Sequence, residues 1–159
     1  MNNIKQINKG ISELKYKEYN DNTHLKDNVI QLVNENFLPE ESSKFFDGQA
    51  NNFIAAVLTY LIVNEKHHKI IKISDVKNFF ECIDIENEEK VTAIYDFEGD
   101  LLKSALMIQI EKLYFFNDSK IDVSTRKYIN ESGTIMCKMC KNANKTFTSI
   151  IQLILNKIN

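Results

Sequence analysis

One proline and four glycines in 159 residues leave few places where the backbone can take the dihedrals that hairpins and tight turns demand. That shortage argues against a turn-rich β fold and leaves helices joined by polar turns. Arginine is nearly missing. Arg126 is the only one among 20 basic residues, so the bidentate clamps on which dedicated phosphate sites rely are almost excluded. Cysteine is scarce and odd in number: Cys82, Cys137 and Cys140. No disulfide framework is implied, and with no secretory leader in view the expected setting is the reducing cytoplasm. Long apolar runs are lacking too. The longest, Phe53 to Val63, is interrupted by Thr59 and falls short of the roughly 18 to 20 residues needed to span a bilayer. Charge of one sign is also missing, since 20 basic residues face 22 acidic ones for a net charge of −2 and a pI near 5.9. Neither a nucleic-acid-coating protein nor an acidic disordered tail fits that balance.

What is present is enough for a core. Hydrophobic residues make up 43% of the chain, sufficient for one continuous interior in a single domain of this size. Residues 1–20 are polar, with Ile4, Ile7, Ile11 and Leu14 at helical spacing, and read as a lead-in to an all-α domain over 21–159. Thr23 is a candidate N-cap for a helix that places Leu25, Val29, Leu32 and Val33 on one face and stops before Pro39. His24 reads as a surface residue of its first turn. After the polar linker Glu40 to Lys44, Phe45 and Phe46 lead into a helix ending near Glu65. Its residues Phe53, Ile54, Val57, Leu58, Leu61 and Ile62 are joined by Ala50, Ala55, Ala56 and Val63, so it is apolar nearly all round and belongs at the centre.

Ile70 to Ile73 reads as a brief extended segment, Ser74 as the N-cap of a short helix ending near Cys82, and Asn87 as the start of a long helix to Phe116 that can break at Gly99. Asn117 to Ser124 reads as a turn and Tyr128 to Gly133 as one helical turn. A helical period from Thr134 then runs to the end, divisible at Asn142 to Asn144. The expected fold class is all-α: a single compact bundle of about six or seven helices around a central buried helix.

Cys137 and Cys140 form the one CxxC, a spacing used by zinc sites and redox pairs. Zinc needs two further ligands that no second CxxC or HxxxH supplies, and a redox pair wants a strand before its helix. Beside Met136 and Met139 the two cysteines read as small core residues. Adjacent His67 and His68 point about 100° apart on a helical turn and do not converge on one ion. With Lys66, Lys69 and Lys72 they make a cationic corner, and Lys138, Lys141 and Lys145 make a second basic cluster; these eight residues are the candidate binding positions. Asp84, Glu86, Glu88 and Glu89 solvate a turn and complement a helix start. No phosphate loop, dinucleotide fingerprint, zinc-protease or nucleophile-elbow motif occurs. No catalytic residue, metal or cofactor is therefore expected.

From Phe45 to Ile62 the sequence runs through an aromatic pair, a small residue and a buried helix containing Tyr60-Leu61. This resembles the start of the all-alpha domain of TraG/TraD-type coupling proteins, the ATPases that feed DNA and proteins into type IV secretion systems. Ile71 to Val76 resembles that family's short capped helix, and Lys145 to Ile151 its Thr/Phe-Ser-Ile helix. The likeness runs loosely from Tyr19 to about Leu155 and rests on apolar pattern. It departs where the aromatic pair lacks tryptophan and where the ATPase's phosphate loop and Mg²⁺-site strand are missing. The resemblance thus implies the all-alpha insertion alone, at the cytoplasmic mouth of a parent ATPase ring. It would select a relaxase, effector or accessory protein, with at most weak DNA contact, no membrane contact by this domain and no catalytic residue of its own. Two other readings compete: a stand-alone helical interaction or chaperone-like protein of a plasmid or phage, and an enzyme whose site carries no motif.

Overall fold

The computed structural model describes residues 3–20, 24–38, 44–65, 70–81, 94–95, 101–102 and 105–159. The described residues form a helical bundle: α1 (Asn3–Asn20), α2 (Leu25–Asn36), α3 (Lys44–Glu65), α4 (Ile73–Phe80), α5 (Ala105–Tyr114), α6 (Val123–Asn142) and α7 (Asn144–Ile158). Between α4 and α5, the two-residue strands β1 (Ile94–Tyr95) and β2 (Leu101–Leu102) pair antiparallel, with Ile94 opposite Leu102. The all-α expectation is met, with α3 as the central helix.

The composition of α3 explains its position. Phe53, Ile54, Ala55, Ala56, Val57, Leu58, Tyr60, Ile62 and Val63 are all buried, and no single packing partner could cover residues that point in every direction. Accordingly α3 packs against α2, α4, α6 and α7. Its Thr59 is fully buried, and the hydroxyl is satisfied by donating to the Ala55 carbonyl at 2.7 Å, so it carries no unpaired polar group. Ile7 and Ile11 of α1 are fully buried in the same core cluster, and α1 packs on α2 and α4. The Asn8 side chain reaches across to accept the first amide of α4, from Ile73, at 2.7 Å.

The ends of several helices differ from their sequence expectations. α4 starts at Ile73, not after Ser74: Lys72 is extended (φ −126°, ψ 161°), and its amide donates to the Asp75 carboxylate at 2.9 Å. That bond makes Lys72 the cap and moves Ser74 into the first turn. His24 is the N-cap of α2, its carbonyl accepting from the Asn28 amide at 3.0 Å. The long helix expected from Asn87 to Phe116 is confined to α5, because Ile94, Tyr95, Leu101 and Leu102 are in strand pairing. Thr23, Pro39, Glu40, Cys82 and Asp84 to Glu89 lie outside the described residues.

α6 is longer than expected, a single helix where a turn followed by a new helix was read. Asp122 caps it by accepting from the Thr125 amide at 3.0 Å and the Thr125 hydroxyl at 2.8 Å, so the helix begins inside the supposed turn. Gly133 lies in its middle for a packing reason. A β-carbon there would sit 2.6 Å from the Tyr114 backbone nitrogen and 3.0 Å from the Leu113 carbonyl carbon. Only a residue without a side chain lets the end of α5 come this close. The predicted break between α6 and α7 is found at Ala143.

Candidate functional site

The close approach at Gly133 builds the most distinctive surface of the described residues. Where α5 ends against α6, Asn130 turns its side-chain amide to that end and donates to the carbonyls of Leu113, Tyr114 and Phe116 at 2.9, 3.1 and 2.9 Å. The last carbonyls of a helix lack the usual partner four residues on, and here one side-chain amide donates to those of Leu113 and Tyr114 and to that of Phe116 just beyond the helix end. Leu113 is thereby fixed in the core, and Phe116 packs edge-on against Tyr60 with ring centroids 5.7 Å apart. Four consecutive large residues running off the end of a helix cannot all face inward. Tyr114 and Phe115 are the two left outside, 44% and 68% exposed, stacked edge to face at 4.8 Å.

Beside them lies a groove of about 370 Å³ lined by Glu111, Tyr114 and Phe115 from the α5 side and by Thr134, Cys137, Lys138, Lys141 and Asn142 of α6. The aromatic rings and the Cys137 side chain give it an apolar character, and two lysines stand at its α6 edge. Cys137 is half-buried and Cys140 fully buried. Burial pushes the Cys137 thiol up, with Glu111 adding to the effect and Lys141 opposing it. Burial and the neighbouring Cys137 push Cys140 up to about 11, again against Lys141. Both shifts favour the neutral thiol, as expected of cysteines packed among apolar side chains. Among the described residues no three His, Cys, Asp or Glu side chains gather as a metal set.

The eight candidate binding residues have different fates. Lys138 and Lys141 are exposed and line the groove, while Lys145 is exposed in the first turn of α7, beyond the break at Ala143 and outside that lining. Lys72 is exposed at the start of α4. Lys66, His67, His68 and Lys69 lie outside the described residues. The aromatic wall, Tyr114 and Phe115, was missed from the sequence, although the run from Leu113 to Phe116 held the signal. Arg126, the lone arginine, serves the fold: its Nε donates to the Ile121 carbonyl at 2.9 Å.

A second polar feature without a sequence signal is buried at the other end of the molecule's central helix. The Lys157 ammonium of α7 lies 2.9 Å from the Asp47 carboxylate of α3 and donates to the Asn51 side chain at 3.2 Å. Asn51 in turn donates to the Phe37 carbonyl at 2.7 Å and to Asn34 at 3.2 Å. This network ties α2, α3 and α7 together. Every polar atom just named has a protein partner, so it reads as structural.

Comparison with family models, with curated proteins and with solved structures finds no match to this chain. Among the described residues, no helix is long and apolar enough to cross a membrane.

Proposed function

We propose that this chain is a protein-recognition module, and that it serves as the substrate-selecting all-alpha domain of a TraG/TraD-type coupling protein, working on the cytoplasmic face of the parent ATPase. One observation carries the recognition role: the exposed Tyr114–Phe115 pair standing over an apolar groove with Lys138 and Lys141 at its edge. Large aromatic side chains held in place at a concave, partly apolar surface are what protein interfaces use as anchors. The coupling-protein assignment is supported by the sequence resemblance over Phe45 to Ile62.

The test is titration calorimetry of the purified chain with relaxase and effector fragments, repeated with Phe115→Ala. Micromolar binding weakened by about tenfold or more in the variant is expected, the loss typical of an interface anchor. Tight, salt-sensitive binding to bare DNA in a mobility-shift titration would refute the protein-partner reading, because counterion release would then be the source of affinity. A complete reading frame without flanking ATPase segments would remove the coupling-protein assignment and leave the recognition module standing.

A further inference from the structure

The charges around the groove specify what can enter it. Among the described residues Lys157 pairs with Asp47, Lys77 with Glu81 and Lys26 with Asp27. Lys138 and Lys141 stand apart from these pairs. Among the described residues neither is in an ion pair, although they sit three residues apart on the same edge of α6. Glu111 is the one carboxylate among the lining residues.

From this arrangement we infer that the groove between α5 and α6 takes a short acidic segment of a partner protein. Its apolar side chains would sit against Phe115, Tyr114 and Cys137, and its flanking carboxylates would meet Lys138 and Lys141. The inference rests on the recognition role proposed above and names the chemistry of the ligand at that same site. Size and charge both favour this occupant. At about 370 Å³ the groove stands at the small end of the range for ligand pockets, which limits the anchor to a couple of apolar side chains. Two lysines one helical turn apart match two carboxylates at neighbouring positions of a peptide. A nucleic-acid backbone is disfavoured because two cations release few counterions. A basic segment would have to bring its ammonium groups against both lysines.

The experiment uses a fluorescein-labelled peptide Glu-Glu-Leu-Leu-Phe-Glu-Glu, a twin with lysine for every glutamate, and a twin with serine for every apolar residue, each titrated against the whole chain by anisotropy. Saturable binding of the first peptide alone is expected. Lys138→Glu/Lys141→Glu should weaken it about three- to tenfold, the effect of two exposed charge pairs, and admit the lysine twin. Lys138→Gln/Lys141→Gln should weaken it without admitting that twin. Both variants alter exposed side chains, and unchanged thermal unfolding confirms their fold. Equal binding of the acidic and lysine peptides, binding of the serine twin as tight as the first, or indifference to both lysine variants would overturn the inference. Competition separates it from the broader proposal. If a relaxase or effector fragment binds but is not displaced by the acidic peptide, this inference fails and the recognition role stands. If the peptide binds as expected and no such fragment does, the coupling-protein assignment fails and the acidic-segment inference stands.

Discussion

Asp47 is 3% exposed and carries a full negative charge into the interior, a placement that is costly unless the charge is matched. Lys157 and the first turn of α3, with its positive dipole end, supply the match. Replacing Lys157 by methionine removes the ammonium partner, so a loss of about 3 kcal/mol is expected, the lower end for a broken buried pair. Replacing both Asp47 by leucine and Lys157 by methionine should recover much of that loss; urea denaturation of the single and double variants decides. At Cys140 the sign runs with pH. The folded protein favours the neutral thiol, with its pKa raised from 9.0 to about 11, so the associated stability is complete below pH 9 and is lost as pH climbs towards 11. A comparison of urea midpoints at pH 8 and pH 10.5 should show a larger drop for the native chain than for Cys140→Ala. The same burial predicts that iodoacetamide labels Cys140 far more slowly in the folded chain than in urea.

Helices whose apolar residues repeat cleanly were legible from sequence: α2 from Leu25, Val29 and Val33, α3 from its all-round apolar surface, and α7 from Phe147, Ile150, Ile151 and Ile154. α6 was not, because Gly133 reads locally as a stop while the reason for it lies on α5, outside any sequence window. The groove was half legible for the same cause. Lys138 and Lys141 stood out as a cluster, but nothing local in the sequence aligns them with Tyr114 and Phe115. Gly133→Ala should therefore destabilise the fold. The new methyl meets backbone atoms that cannot turn aside, costing about 1 to 3 kcal/mol, which exceeds or cancels the gain of about 1 kcal/mol from better helix propensity. Gly10 is the instructive contrast. A β-carbon there would lie 2.5 Å from Leu32 Cδ1, the far end of a flexible side chain, so Gly10→Ala should be close to neutral. Parallel thermal melts of the two alanine variants test the difference.

Among the described residues α3 is the helix that joins α2, α4, α6 and α7, and its central leucine measures that role. Leu58 is fully buried in a helix flanked by α2, α4, α6 and α7, with little room for the surroundings to collapse. Leu58→Ala should cost about 2 to 5 kcal/mol, and a loss below about 0.5 kcal/mol would mean that the core lies elsewhere. The all-α class was legible because it follows from composition, chiefly from too few glycines and prolines for turns. Which faces stay uncovered was not, because that depends on how the helices cross.

The three carbonyls gathered by Asn130 couple the end of α5 to a single side chain of its neighbour. When that amide lets go, Leu113, Tyr114 and Phe116 lose their anchor together, so the last turn of α5 should open as one unit instead of fraying residue by residue. The amide protons of Tyr114 to Phe116 should then share one protection factor, and a ligand seated against Phe115 should slow all of them by the same factor. The groove would in that sense report its own occupancy through the exchange of backbone protons that the ligand does not touch.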